Sequence, residues 1–143
     1  MNWRNVAEDI SEWIGDYANK NGIEALVVGV SGGVDSAVTS TLSAMTGIDT
    51  IVLNMPIHQD RGQFDLADRH IEWLKSKWGN VSGEVLDLSS TYDEFCSEME
   101  ELSELSQANS RARLRMTALY AIAGSNNGIV VGTGNKVEDF GVG

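Results

Sequence analysis

Val28–Ala37 reads "VGVSGGVDSA": small apolar residues run into Ser-Gly-Gly, then Asp-Ser, then what reads as the first turn of a helix. The run begins earlier, at Ala25, and "ALVVGV" is continuously apolar, as in strands covered on both faces. Asp35–Thr46 continues as a predicted helix and Gly47 ends it. Strand, glycine turn and helix in immediate succession form the first half of a parallel crossover unit.

The same alternation extends in both directions. Upstream, Val6, Ile10, Trp13, Ile14 and Tyr17 recur at helical spacing, and Asn21-Gly22 makes a stop. Downstream, "TIVLNM" (Thr50–Met55) is a second buried strand, closed by Pro56, the only proline. Phe64, Ala67, Ile71, Leu74 and Trp78 mark a helix, and "EVLDL" (Glu84–Leu88) a third strand. Tyr92, Phe95, Met99 and Leu102 give another helical stripe, and Ala112, Met116, Leu119, Tyr120 and Ala123 one more. "GIVVGT" (Gly128–Thr133) supplies a fourth strand. Strands separated by helices predict an α/β fold, an open parallel sheet with helices on both faces and right-handed crossovers.

Composition limits what such a fold can do. At 143 residues, 42% hydrophobic and 22% charged, the chain suits one soluble globular domain. The formal net charge of -11 and a pI near 4.4 argue against nucleic acid as a partner. A single cysteine allows no intrachain disulfide, and "MNWRNVAEDI" has neither a basic start nor a long apolar run, so a cytoplasmic setting with no membrane is expected.

In a parallel sheet ligands bind at the carboxyl ends of the strands, where both glycine-rich stretches fall. Gly32 and Gly33 are expected to take backbone angles closed to other residues and to let a phosphate approach the main chain. Amide N–H groups would then converge, helped by the positive end of the following helix, with Ser31 and Ser36 adding hydroxyls. Asp35 would repel phosphate unless a cation such as Mg2+ lay between them. The bland alternative is a strand-to-helix turn that Asp35 helps to cap. The loop has neither the Gly-Lys-Ser/Thr ending of a Walker A loop nor the spacing of G-x-G-x-x-G.

"SGGVDS", Ser31–Ser36, resembles the pyrophosphate-binding loop (PP-loop) of the ATP pyrophosphatase superfamily, whose Rossmann-like fold is adenine nucleotide alpha-hydrolase-like. Two further segments, "NSRARLRMTALYAIA" (Asn109–Ala123) and "VVGTGNKVEDFGVG" (Val130–Gly143), together with the loop, are similar to the NAD synthetase family. The resemblance covers essentially the whole chain, with the motifs in the family's order. It implies a ligase of NAD biosynthesis that amidates nicotinic acid adenine dinucleotide with ammonia through an acyl adenylate, releasing AMP and pyrophosphate. ATP would be the co-substrate and Mg2+ the metal.

Carried over by position, the resemblance places ATP on Gly29, Val30, Ser31, Gly32, Gly33, Val34, Asp35, Ser36 and Thr133. It places Mg2+ on Asp35 and Glu138, the dinucleotide on Arg113, and the adenine near Leu53–Met55. It also implies a homodimer, to which Trp3 or Trp13 could contribute, and no covalent nucleophile. Arg111 and Arg115 are expected on one helix face, away from Arg113, paired with the acidic run Glu98, Glu100, Glu101 and Glu104. Cys96 reads as a buried or half-buried thiol, His58 and His70 show no zinc spacing, and Trp3, Trp13, Trp73 and Trp78 read as helix packing residues.

Residues 1–143 are expected to form a single ATP-pyrophosphatase-type domain. It is shorter than the family's, which continues with a Lys-, Gly- and Asp-rich segment that completes both sites. The chain is also too short for a glutaminase domain, so free ammonia is the expected nitrogen donor. The fourth strand has no helix after it, and that flank is expected to be thinly covered. The alternatives are a non-catalytic nucleotide-binding module or fragment that keeps the loop, or another PP-loop amidotransferase.

Overall fold

The computed structural model describes residues 1–137. Its elements are α1 (Trp3–Lys20), β1 (Ala25–Gly29), α2 (Val34–Met45), β2 (Asp49–Asn54), α3 (Arg61–Lys77), β3 (Val81–Val85), α4 (Ser89–Ser97), α5 (Glu104–Ser125) and β4 (Gly128–Val130). The four strands form one sheet, all parallel, in the order β3-β2-β1-β4. The chain thus starts its sheet at the centre, works outward to β3, and returns to the other side of β1.

Alternate residues of the central strands feed two cores. Val27 and Leu53 pack with Tyr92 of α4 and Leu119 and Ala123 of α5. Their neighbours Val28 and Val52 pack on the opposite face with Ala44 of α2 and Ala67, Ile71 and Leu74 of α3. Helices therefore cover both faces, as the apolar runs predict. Buried hydroxyls are satisfied locally: Ser40 Oγ donates to Ser36 O at 2.6 Å, and Thr50 Oγ1 to Ile48 O at 2.9 Å.

Two predicted elements are displaced. β3 spans Val81–Val85 and not Glu84–Leu88. Its residues Ser82, Gly83 and Glu84 have little strand propensity, and its position is set by register, with Thr50 beside Val81 and Asn54 beside Val85. Gly83 is required there, because a Cβ would overlap Ile71 Cγ2. Leu86 and Leu88 look like strand residues because they too point into the core beyond the strand's end. The stripe through Tyr92 and Phe95 likewise stops at Ser97, so Met99 and Leu102 lie between helices.

Cys96 is half-buried against the first core, as expected. The tryptophans divide. Trp78 packs on the second core and meets Trp73 edge to face at 5.5 Å; Trp13 stacks on Tyr17 at 6.2 Å along the exposed face of α1, and Trp3, largely in solvent, does not have the packing role expected for it. No helix among the described residues is long and apolar enough to cross a membrane.

Candidate active site

The carboxyl ends of β1 and β2 open into a cavity of about 320 Å³. Gly29, Val30 and Ser31 reach it from β1, Asn54 and Met55 from β2, Gln63 from α3, Arg115, Met116 and Leu119 from α5, and Thr133 from the segment after β4. Four of the predicted ATP residues, Gly29, Val30, Ser31 and Thr133, are thus brought together. Of the stretch expected beside adenine, Asn54 and Met55 line the cavity, while the Leu53 side chain lies wholly in the core.

From Ser31 the chain turns through Gly32–Ser36 into α2. Gly32 has a φ of +88°, and a Cβ would come within 2.9 Å of Gln63 O, so both conformation and space call for glycine. Gly33 differs from expectation. It is the N-cap of α2 with an ordinary extended backbone, φ -89°, and needs no left-handed freedom. The loop is cross-tied: Ser36 Oγ accepts from Ser31 N at 3.0 Å and donates to Gly33 O at 3.2 Å, and Ser31 Oγ accepts from Gly33 N at 3.2 Å. Gln63 Nε2 fixes the other side by donating to Ser31 O at 2.6 Å.

The N-cap Gly33 makes no side-chain cap bond, and Asp35 is the acidic residue of the first turn, where its charge favours the helix N-terminus without a capping hydrogen bond. The first-turn amides of a helix have no intrahelical acceptor, and in α2 the N-cap supplies no side-chain acceptor for them. Asp35 lies exposed in that turn, with Oδ2 accepting from Asn135 Nδ2 at 2.9 Å. One exposed carboxylate in the first turn of α2 suits Mg2+, which commonly takes one or two carboxylates and completes its shell with waters and phosphate oxygens. Glu138, the other predicted ligand, lies outside the described residues. Among the described residues no cluster of three or more His, Cys, Asp or Glu could hold a metal by itself.

The arginines correct the sequence reading most sharply. Arg115 does not pair with the acidic run. Its Nε donates to Met55 O at 2.8 Å and its Nη2 to Gln59 Oε1 at 3.2 Å, and it supplies the charge among the cavity-lining side chains. Burial, then the charge of Arg111, pulls its pKa below the ordinary arginine value, and guanidinium keeps its proton regardless. Arg111 lies over the Tyr92 ring, 5.8 Å from its centroid, and also makes no pair with Glu98–Glu104. Arg113 does point elsewhere, as expected: it is exposed, outside the cavity, with Nη1 donating to Asn109 O at 3.3 Å.

Sequence reasoning missed Arg115, Gln59 and Gln63. For Arg115 a signal existed: Arg111, Arg115 and Leu119 are spaced by four, and a line ending on a core leucine points at the sheet. The histidines carry no metal arrangement. His70 Nε2 lies 3.0 Å from Ser40 Oγ, and His58 Nε2 lies 2.6 Å from Asp93 Oδ1.

Residues 6–143 match the family described as NAD synthase. The NH(3)-dependent NAD(+) synthetase of Methanosarcina mazei is 33% identical over 143 aligned residues, covering 96% of this chain and 55% of that protein. The corresponding protein of Chlorobium phaeovibrioides is 32% identical, with 96% and 49% covered. Among solved structures, the NH3-dependent NAD synthetase of Campylobacter jejuni, in complex with the nitrate ion, superposes with a TM-score of 0.86 at 28% identity, covering 96% of this chain and 59% of that one. The NMN synthetase of Francisella tularensis superposes with the same TM-score of 0.86 at 31% identity, covering 96% and 57%. The chain therefore spans about half the length of the curated relatives it matches.

Proposed function

This chain belongs to the NAD synthase family, and from that premise we propose that it binds ATP for the amidation of nicotinic acid adenine dinucleotide to NAD. Ammonia is the nitrogen donor, and AMP and pyrophosphate leave. One observation carries the ATP assignment: a partly apolar cavity, with an arginine and no carboxylate among its described lining residues, adjoins a glycine turn that starts a helix without a side-chain cap. In a protein of net charge -11, that is where a polyanion is tolerated.

The adenosine sits against Met55, Met116 and Leu119, and the phosphates run along Gly32–Ser36. Arg115, with two of its donors held by Met55 O and Gln59, keeps other N–H groups for the nucleotide. The nicotinate carboxylate attacks the α-phosphorus, forming the acyl adenylate as the bond to pyrophosphate breaks. Charge building on the departing pyrophosphate is met by the α2 amides and by the Ser31 hydroxyl, while Ser36, whose hydroxyl donates to Gly33 O, shapes the turn. Ammonia then adds to the activated carbonyl, a proton is lost, and AMP departs. Asp35, with Glu138, would hold Mg2+, which when bound supplies further neutralisation of phosphate charge. Positioning carries the rate, and no side chain forms a covalent intermediate.

Arg113, on the solvent face of α5, is assigned to the dinucleotide. The exposed Trp3 and Trp13 of α1 are compatible with the homodimer in this reading, and a cytoplasmic setting belongs to it as well. So does the treatment of residues 1–143 as one ATP-pyrophosphatase-type unit.

The likeness to the NMN synthetase favours a second reading, in which the acceptor is the mononucleotide and the product NMN. The deciding experiment follows AMP and pyrophosphate release from Mg-ATP and ammonium with either acceptor, each component omitted in turn. Release that requires the dinucleotide, with NAD appearing in step, supports the first reading; release that requires the mononucleotide supports the second. ATP binding without product under any condition would leave a nucleotide-binding module.

A further inference from the structure

The loop Pro56–Asp60 joins β2 to α3, and its middle residue is held in an unusual way. His58 has a φ of +48°, a left-handed conformation uncommon outside glycine, although His, with Asn and Asp, enters it more readily than most residues. Such a conformation persists where the surroundings over-determine it. Here they do. His58 N donates to Ser89 Oγ at 2.9 Å, and Ser89 is itself oriented by its own N–H, which donates to Asp87 Oδ1, also at 2.9 Å. The imidazole Nε2 lies 2.6 Å from Asp93 Oδ1, and since an ionised carboxylate has no proton to give, the ring donates. One step earlier in the chain's pairing, Leu88 N donates to Pro56 O at 2.9 Å. The loop is thereby pinned to α4 and its N-terminal approach.

The residues either side of His58 serve the cavity. Met55 O and Gln59 Oε1 both accept from the Arg115 guanidinium. Met55 is buried in the first core just after β2, so Gln59, directly after His58 on the exposed part of the loop, is the acceptor whose place depends on the loop's conformation. Ile57 anchors the loop in the first core, and a second hollow of about 400 Å³, whose lining includes Gln59, Asp60 and Arg115, opens beside the exposed stretch His58 to Asp60. The His58 and Asp93 side chains are each 58% exposed, so their pair adds little to stability. Its effect is geometric.

We infer that His58 is a positioning residue. Fixed by Ser89 and Asp93, it holds the loop so that Gln59 and Met55 keep Arg115 aimed into the cavity, and it thereby sets the affinity for adenine nucleotide. The inference rests on the reading of that cavity as a nucleotide site, and it assigns a role to residues outside the glycine turn and the cavity lining.

The test compares the full chain with His58→Gly, which keeps the backbone angle and loses the imidazole, with Asp93→Ala, and with the double variant. Two quantities are read: the Kd for Mg-ATP by calorimetry, and the Arg115 Nε–H resonance and its exchange rate by NMR. Each single variant is expected to weaken ATP binding about three- to tenfold and to speed Arg115 Nε–H exchange, the double variant being no worse than either single. The thermal midpoint should stay within about 3 °C of wild type, as for an exposed pair. Unchanged ATP affinity with an unchanged Arg115 resonance overturns the inference, as does loss of affinity only in proportion to loss of thermal stability. A wild-type chain that binds no ATP overturns the nucleotide reading and this assignment with it, and the Arg115 resonance identifies that case because it reads the brace without nucleotide.

Discussion

Strands β1 and β4 are neighbours in one sheet, yet their surroundings differ. Leu26, Val27 and Val28 of β1, like Val52 and Leu53 of β2, are closed to solvent, whereas all three residues of β4 are only half-buried. The helices follow suit: α2 and α3 bury Ala44, Ala67 and Leu74, while α1, beside β4, exposes Trp3 and Trp13 at 73% and 69%. The cavity opens from the well-packed centre. Its floor is built from the ends of the packed central strands, and among the described residues the loosely covered flank contributes Thr133.

The largest expected effect tests that contrast directly. Leu53→Ala removes a fully buried side chain and should lower unfolding free energy by about 2–5 kcal/mol in denaturant titration, whereas Ile129→Ala on β4 should cost about 1 kcal/mol or less. Equal losses would mean the flank is as tightly packed as the centre. Next in size is the divide on α5. Arg115→Ala should weaken Mg-ATP binding by about ten- to a hundredfold, since a charge-assisted partner of the nucleotide is lost, and Arg113→Ala should leave ATP affinity within about twofold. A reversal of the two would move the nucleotide to the outer face of the helix.

The smallest effects sharpen the comparison. Trp13→Ser on the open flank should change unfolding free energy by no more than about 0.5 kcal/mol, because little is lost from a residue already in solvent. His70, stacked on Trp73 at the foot of the packed side, has its pKa lowered from 6.5, mainly by burial. The unfolded chain therefore takes up the proton first as pH falls. Stability from this group is complete above pH 6.5, declines as pH drops through the folded pKa, and then levels off. His70→Gln should flatten that part of the stability profile between pH 7 and 5, read by thermal melts.

The packed centre was also the legible part of the sequence. "ALVVGV" and "TIVLNM" declare buried strands by apolar continuity, and "SGGVDS" declares a turn between strand and helix. β3 was misplaced because the apolar Leu86 and Leu88 outweigh Ser82 and Gly83, whose strand is imposed by pairing with β2 and by the room Gly83 leaves for Ile71. Of the site, the residues contiguous with the loop were readable. Arg115 was not, since a nearby acidic run offers a local partner while its actual acceptor, Met55 O, lies 60 residues away in sequence. Gln63 escaped for the same reason, gripping Ser31 O across 32 residues. Local pattern reveals elements, and contacts of that reach depend on how the elements pack.

The central claim is that the cavity at the carboxyl ends of β1 and β2 is the ATP site. Its most direct test is a crystal structure of the chain with Mg2+ and an ATP analogue whose α,β bridge is methylene. The account predicts adenine against Met55, Met116 and Leu119, with phosphates along the amides of Gly32–Ser36 and Arg115 in contact with the nucleotide. An analogue bound elsewhere, or one whose phosphates lie away from that turn, would contradict it.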